Sequence, residues 1–146
     1  MKREFKYQQM LIQAESLIDS SVDLIANMAN ITRLVYDFFP HHWIGFYRVQ
    51  NNNLILGPFI GPIACTTIGF GKGVCGTAWE TGKTQMVDDV HKFPGHIECS
   101  AKSNSEIVVP CLKNNEVYAV LDIDSINFNE FEEIDKTYLE KLVRLL

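Results

Sequence analysis

The sequence predicts an α+β domain built on an antiparallel sheet. Apolar residues recur at helical spacing near both ends of the chain, whereas the middle consists of short strand-like segments separated by turn-forming residues. Helices that flank a run of hairpins, rather than alternate with strands, favour an antiparallel sheet. The length of 146 residues suits one domain, spanning 1–146, with one core.

The first part of the chain is predicted to form two helices, each with one buried stripe. The stripes are Tyr7, Leu11, Ala14 and Ile18 in the first helix, and Leu24, Met28, Ile31, Val35 and Phe38 in the second. We expect the polar segment 19–21 to cap the second helix. Pro40 is expected to end it, because proline has no N–H donor and disfavours helix in the preceding residue.

The middle of the chain is predicted to form hairpins and two long loops. Segments rich in aromatic and β-branched residues indicate strands at 42–49, 54–60, 84–87, 106–112 and 117–123. Asparagine-containing turns join the first two and the last two of these strands. The remaining segments, one of which holds a short helix near GVCGTAWETG, are long for loops of a compact domain, which is typical of functional segments.

A final helix is predicted after these strands. Its start is marked by Asn129 as the cap and Glu132 as the partner in a capping-box-like pair. Its buried stripe consists of Phe131, Ile134, Tyr138, Leu142 and Leu145.

Composition and charge argue against several classes of function. No apolar run approaches the roughly 20 residues of a membrane-spanning helix, and the charged N-terminal segment lacks the apolar core of a secretory signal. The net charge is −5 and the basic residues are scattered, which argues against a nucleic-acid partner. We therefore expect a cytoplasmic protein without a membrane partner, in which the cysteines serve chemistry, a metal or packing rather than structural disulfides.

The four cysteines differ in their sequence environments. Cys111 lies within an apolar strand, where a buried inert thiol is usual, and Cys65 follows an apolar segment, which favours packing at a strand end. Cys75 lies in the first turn of the short helix, where unpaired N–H groups stabilise a thiolate, although packing in a glycine-rich turn explains it equally well. Cys99 lies in a polar loop, where a thiol is easier to explain by redox chemistry than by packing. No pair has the C-x-x-C spacing of a zinc ribbon.

Two aspartates lie two positions apart in the predicted strand VYAVLDIDS. Asp122 and Asp124 therefore share one face of the strand, on the order of 6.5 Å apart, opposite an apolar face. A solvated polar face is the ordinary explanation, but aspartate is disfavoured in strands. Glu106 on the partnering strand adds a third negative charge. The cluster therefore predicts a site for a cation, either a metal ion or an ammonium group.

Trp43 and Tyr47 lie four positions apart on one predicted strand and therefore point to the same side. Core packing is the ordinary explanation for either ring. A ligand-facing pair is favoured if that side of the sheet also carries Asp122 and Asp124, which the sequence alone leaves open.

Two other patterns are weak. The segment 71–76 matches G-x-G-x-x-G, but the antiparallel pattern provides no βαβ unit, so we reject a dinucleotide site. Its glycines can still expose N–H groups to a small carboxylate. His96 precedes Cys99 by three positions, and His91 and Asp88 lie nearby, but no second well-spaced pair supports a metal site there.

Two stretches contain most of these candidate residues. They are GPFIGPIACTTIGFGKGVCGTAWETGKTQMVDDVHKFPGHIECSAKSNSEIVVP and AVLDIDS. Both resemble the free methionine-(R)-sulfoxide reductases, a family of GAF-domain enzymes of bacteria and lower eukaryotes. The resemblance covers almost the whole chain, is weakest near the N-terminus, and is specific because ordinary GAF domains lack this set of three cysteines. It implies a GAF domain with a six-stranded antiparallel sheet, N- and C-terminal helices packed on one face and pocket loops on the other, and a homodimer.

The resemblance also implies roles for the candidate residues. The matching positions are the cysteines Cys65, Cys75 and Cys99, the acidic cluster of Glu106, Asp122 and Asp124, and the aromatic wall of Trp43 and Tyr47. The implied substrate is free methionine sulfoxide. Its ammonium group would be the missing cation of the acidic cluster, its carboxylate could bind the N–H groups of the glycine-rich loop, and its methyl group could lie on Trp43.

The implied reaction is thiol-dependent reduction of the sulfoxide. A thiolate attacks the sulfoxide sulfur while an acid, either Glu106 or Asp124, protonates the departing oxygen. The resulting sulfenic acid then condenses with a second cysteine, and thioredoxin reduces the disulfide. The resemblance assigns the attack to Cys99, resolution to Cys65 and a second resolving role to Cys75, while the helix-start argument keeps Cys75 as the alternative nucleophile.

No cofactor and no resident metal are expected for this reaction, apart from thioredoxin as the external reductant. Two other functions compete with it. One is a non-catalytic GAF module that senses a small ligand. The other is a redox or metal sensor that uses the three cysteines and a histidine.

Overall fold

The computed structural model describes residues 2–97, 99 and 102–146. This part of the chain contains four α-helices, six strands and one 3-10 helix. In chain order they are α1 (Arg3–Leu17), α2 (Leu24–Phe38), β1 (Trp43–Gln50), β2 (Asn53–Ile60), β3 (Thr67–Gly69), α3 (Gly73–Thr81), β4 (Gln85–Val87), the 3-10 helix (Val90–Lys92), β5 (Ser105–Lys113), β6 (Glu116–Ser125) and α4 (Glu133–Val143). Among the described residues, no helix is long and apolar enough to cross a membrane.

The strands form one six-stranded sheet in the order β3-β2-β1-β6-β5-β4. Every neighbouring pair is antiparallel. This confirms the predicted α+β class and the six-stranded antiparallel sheet. The two predicted hairpins meet where β1 pairs with β6, so the centre of the sheet brings together segments that are distant in the sequence.

The sheet separates two apolar clusters. On one face, α2 and α4 pack on the strands and α1 packs on these two helices. The buried cluster there includes Met10, Met28, Leu139, Ile107 and Leu121. The other face packs α3 and the long loops. This confirms the predicted layer of N- and C-terminal helices on one side. The helices therefore supply the larger core and leave the other face of the sheet for a site.

Strand β6 shows how the pleat divides its side chains between the faces. Leu121 and Ile123 belong to the cluster under the terminal helices, whereas Val120 belongs to the cluster on the opposite face. Because successive side chains of a strand point to opposite sides, Asp122 and Asp124 follow Val120 to the face away from the terminal helices.

Both predicted helix caps are wrong. The carboxylate of Asp23, rather than the segment 19–21, caps α2 by accepting a hydrogen bond from the N–H of Ile25 at 2.8 Å. Helix α4 is capped by Glu132, which forms a capping box with Asp135, while Asn129 adopts a φ of 55° before the helix. Several residues near each start have capping side chains, and the backbone conformation selects one of them.

The structure also adds two short elements to segments that were predicted as loops. Strand β3 pairs with β2, and the 3-10 helix follows β4. Elements of three residues are too short to show a hydrophobic period.

Candidate active site

A small cavity lies on the face of the sheet opposite α1, α2 and α4. The space open to water-sized molecules is about 40 Å³. The predicted site residues that line it are Trp43, Tyr47, Cys75, Cys99, Glu106, Asp122 and Asp124. Cys65 packs against the same apolar cluster. The fold thus brings together residues from β1, α3, β5, β6 and the loop before β5.

Strand β1 supplies the aromatic side of the cavity. In the ladder with β6, Trp43 lies opposite Asp124, and the ring centroids of Trp43 and Tyr47 are 5.9 Å apart. The indole N–H of Trp43 donates to the carbonyl of Pro62 at 3.1 Å, and the Tyr47 hydroxyl donates to the carbonyl of Cys65 at 2.9 Å. The aromatic pair therefore lies on the acidic side of the sheet, and it also holds the loop that carries Cys65.

Strands β5 and β6 supply the acidic side. Glu106 lies opposite Asp124, and Val108 lies opposite Asp122. The exposed fractions of Glu106, Asp122 and Asp124 are 6%, 6% and 9%, which excludes a solvated polar face. Carboxylates are costly to bury without a compensating partner. In addition, Asp122 Oδ1 is buried without a hydrogen-bond partner among the described residues, which indicates a site built for a ligand.

The three carboxyl groups perturb one another. Burial, followed by repulsion from Asp122 and Asp124, raises the pKa of Glu106 well above its usual range. Burial and repulsion from Asp122 raise the pKa of Asp124, while a hydrogen bond from Glu106 lowers it. Burial also raises the pKa of Asp122, against the effect of hydrogen bonds from Glu106 and Cys75.

Two of the four cysteines form a disulfide. Cys65 and Cys99 are 34 positions apart in the sequence, and their Cα atoms lie 5.4 Å apart. The disulfide joins the loop after β2 to the loop before β5, and both of its cysteines are half-buried. The bridge therefore lies at the cavity, where a ligand or a reductant could approach its sulfur atoms.

The environment of Cys75 contradicts the argument from its position at a helix start. Burial, followed by repulsion from Asp122, Glu106 and Asp124, raises the pKa of the Cys75 thiol well above its usual range. The partial charges at the start of α3 do not outweigh three neighbouring carboxyl groups. Cys111 is fully buried among the terminal helices, and burial raises its pKa to about 12. Its predicted packing role is confirmed.

The structure brings together one group that the sequence did not predict. The Sγ of Cys75 and one carboxylate oxygen each from Glu106 and Asp122 all lie within 4.8 Å of one another. Three different elements supply these residues, so no local spacing could have shown the group. Of the weaker candidates, His96 lines the cavity, whereas His91 contacts Asp89 with Nδ1 2.9 Å from the carboxylate.

Further residues complete the wall of the cavity. Lys72 adds a positive charge beside the start of α3, and Ile63 and Ile97 add apolar surface near the disulfide. Sequence reasoning missed these three, although Ile63 and Ile97 each lie two positions before a cysteine of the bridge. The remaining lining residues are Ala64, Ile68, Gly73, Val74, His96 and Ser103.

A family model and related proteins were compared with this chain, and they agree on a GAF domain. A model of the GAF domain matches residues 22–146. The chain is 50% identical to GAF domain-containing protein A of Dictyostelium discoideum, over 99% of this chain and 92% of that protein. It is 43% identical to the free methionine-R-sulfoxide reductase of Saccharomyces cerevisiae, over 100% of this chain and 86% of that protein.

A solved structure agrees with these relatives. The free methionine-R-sulfoxide reductase from Neisseria meningitidis, determined in complex with its substrate, matches with a TM-score of 0.96 and 42% identity. The match covers 99% of this chain and 88% of that one. The similarity therefore includes the whole sheet and the elements that form the cavity.

Proposed function

The chain belongs to the free methionine-R-sulfoxide reductase family of GAF-domain oxidoreductases, and we propose that it reduces free methionine (R)-sulfoxide to methionine. The observation that carries this proposal is the Cys65–Cys99 disulfide at a cavity with three buried carboxyl groups. A redox-active pair of cysteines and a site for a cation are the two features that a reductase of a free amino acid requires.

The acidic cluster accounts for recognition of a free amino acid. An ammonium group among Glu106, Asp122 and Asp124 would compensate their buried charge and satisfy Asp122 Oδ1. A methionine within a peptide carries a neutral amide at that position, so the carboxyl groups would stay uncompensated and the peptide would be rejected. The substrate carboxylate would then point toward the start of α3, where Lys72 lines the cavity.

The thiol chemistry begins at Cys99. Its thiolate attacks the sulfoxide sulfur, and Glu106 protonates the departing oxygen, a role that its burial beside Asp122 and Asp124 and its raised pKa favour. The oxygen moves from the substrate to Cys99, whose thiol is oxidised to sulfenic acid while the sulfoxide is reduced to the thioether of methionine. The Cys65 thiol then condenses with the sulfenic acid and releases water, which leaves a disulfide between these two residues.

We propose that the disulfide-bonded chain corresponds to one stage of this cycle. In the disulfide-bonded chain, about 40 Å³ of the cavity is open to water-sized molecules. Since Cys99 and Ile97 belong to the cavity wall, reduction of the bridge would release this part of the wall and enlarge the site. The disulfide-bonded chain would be the form after resolution and before reduction by an external dithiol such as thioredoxin.

The compartment and the oligomeric state of the protein are likewise proposed, from the reaction and the family. A dithiol reductant requires a reducing compartment, and we propose the cytoplasm. We also propose a homodimer that uses the terminal helices, which measurement of the molar mass in solution would test.

A coupled assay tests the reductase function. The protein is incubated with racemic free methionine sulfoxide, thioredoxin, thioredoxin reductase and NADPH. We expect NADPH oxidation that stops after about half of the substrate, as a stereoselective enzyme requires. N-acetylmethionine sulfoxide, which lacks the ammonium group, is the matched control and should give no turnover. Binding of methionine sulfoxide without NADPH oxidation would contradict the proposal and favour the sensor alternative.

A further inference from the structure

The cavity contains a set of donor atoms that suits a metal ion as well as an ammonium group. We propose that Cys75, Glu106 and Asp122 bind a thiophilic divalent cation, such as Zn²⁺, when the Cys65–Cys99 bridge is open, and that this cation excludes the amino-acid substrate. The metal site is independent of the proposed reductase function, whereas the competition with substrate rests on it.

The geometry of the three residues supports the metal site. Their donor atoms, one thiol sulfur and two carboxylate oxygens, lie within 4.8 Å of one another. In a tetrahedral zinc site with bonds of about 2.0–2.3 Å, neighbouring ligand atoms are on the order of 3.3–3.8 Å apart. Rotation of the side chains can bring the donor atoms from their present separations to these distances. Because α3, β5 and β6 supply one ligand each, the packed fold holds them close before any metal binds.

The unpartnered oxygen of Asp122 is an independent indication of a ligand. Asp122 is only 6% exposed, and its Oδ1 has no hydrogen-bond partner in the described part of the chain. Buried polar atoms in folded proteins are almost always satisfied. The same carboxylate lines the cavity, so a cation held there would satisfy the oxygen, and a water in the cavity could complete the coordination.

The donor set also predicts which metal binds. A thiolate selects zinc and the softer cadmium over magnesium and calcium, which prefer sites made entirely of oxygen ligands. The negative charge of the deprotonated ligands would be compensated better by a divalent ion than by one ammonium group. The cation and the ammonium group would use the same carboxylates, and therefore only one of them can occupy the cavity.

The test requires a protein that lacks the Cys65–Cys99 bridge and in which Cys75 is the thiol that lines the cavity. In the Cys65→Ser/Cys99→Ser double variant, Cys75 and Cys111 are the remaining cysteines. We expect it to bind one equivalent of Cd²⁺ with an ultraviolet band of cadmium–thiolate charge transfer, and to bind Zn²⁺ in competition with Cd²⁺. Excess Mg²⁺ or Ca²⁺ should displace neither ion.

Further substitutions in this double variant identify the ligands. Cys75→Ser should abolish the band and weaken Zn²⁺ binding at least about tenfold. Asp122→Asn should keep the band and weaken binding, and it provides a second variant if Cys75→Ser does not fold. Cys111→Ser is the matched control, because this thiol lies among the terminal helices on the other side of the sheet, and it should leave both signals unchanged.

Two results would overturn the metal site. They are the absence of stoichiometric Cd²⁺ and Zn²⁺ binding, and a band that persists after Cys75→Ser or disappears after Cys111→Ser. Addition of methionine sulfoxide separates the metal site from the proposed function. Release of Zn²⁺ by this ligand supports the shared cavity, whereas undiminished Zn²⁺ binding overturns the competition and contradicts the proposed ammonium site while the metal site itself stands.

Discussion

Glu106 and Asp124 lie directly opposite each other in the β5–β6 ladder, and both side chains are buried on the cavity side of the sheet. Like charges in register destabilise a sheet, and burial adds a desolvation cost. The raised pKa of Glu106 favours its neutral form, which reduces this cost, and a bound cation would also reduce it. The buried carboxyl groups should therefore lower the stability of the ligand-free protein, and a bound cation should raise it.

The first consequence concerns the pH dependence of stability. Because burial raises the folded-state pKa of Asp124, the folded chain binds more protons than the unfolded chain between the two pKa values. The contribution of Asp124 to the free energy of unfolding is therefore most favourable below the unfolded pKa and is lost as pH rises through the folded one. Asp124→Asn should make this fall shallower and stabilise the ligand-free protein at neutral pH by about 1 kcal/mol.

Urea denaturation of the reduced protein between pH 4 and pH 8 measures this effect. Glu15→Gln serves as the control, because Glu15 is exposed on α1. Identical slopes for Asp124→Asn and the unsubstituted protein would show that the buried carboxyl group does not control stability. The same Asp124→Asn variant should raise the KM for methionine sulfoxide.

Glu106→Gln separates proton donation from substrate binding. If Glu106 donates the proton, removal of its acidic group should lower kcat by roughly 10²–10⁴-fold, and the decline of kcat at high pH should disappear. Single-turnover formation of methionine from pH 6 to pH 9 measures both effects. A change confined to KM would instead assign Glu106 to ammonium binding alone.

Substitution of each of the three cysteines near the cavity should affect a different step of the reaction. Cys99→Ser should reduce methionine formation by more than about 1,000-fold, because it removes the nucleophile. Cys65→Ser should still form methionine in the first turnover and accumulate sulfenic acid, but it should not turn over with thioredoxin. Cys75→Ser should keep the first turnover, because burial and the neighbouring carboxyl groups raise the pKa of the Cys75 thiol well above its usual range and so disfavour the thiolate.

Quenched-flow measurement of methionine and trapping of sulfenic acid with dimedone distinguish these cases. Cys111→Ser is the control for loss of a thiol that lies outside the cavity. Rapid methionine formation by Cys99→Ser, together with its loss in Cys75→Ser, would reverse the assignment of the nucleophile.

Gly45 tests how the aromatic side of the cavity is packed. A Cβ atom on this residue would collide with Phe59 Cβ and would lie 2.6 Å from Trp43 Cη2. Gly45→Ala should therefore destabilise the protein by about 1–3 kcal/mol and raise KM, because the indole of Trp43 must move. Gly69→Ala is the matched control, since its new Cβ would meet the flexible side chain of Lys72 at 3.2 Å. Equal urea midpoints for the two variants would contradict this packing argument.

The sequence predicted most of the regular structure because helix and strand periods are local. The stripes of α1, α2 and α4 and the two main hairpins needed only the pattern of apolar residues and turns. The caps were wrong because Asp19 and Asp23, like Asn129 and Glu132, are close competitors in sequence. Strand β3 was missed because three residues show no period.

Features of the site that depend on one strand could be predicted from the sequence, whereas features that depend on pairing between strands could not. The shared face of Asp122 and Asp124 followed from alternation along one strand, and the family resemblance, rather than spacing, indicated which cysteines act with them. Whether Trp43 lay on the same side as the aspartates depended on pairing of β1 with β6, and no pattern within either strand determines that register.

The sequence by itself therefore determined the fold class, the faces of the strands and the set of candidate site residues. Only the tertiary structure decided that Cys65 pairs with Cys99 and that Cys75 faces three carboxyl groups rather than solvent. The physical reason is that burial and the electrostatic surroundings of a side chain are set by residues distant in the chain. The start of α3 favours a thiolate locally, and packing against β5 and β6 reverses that preference.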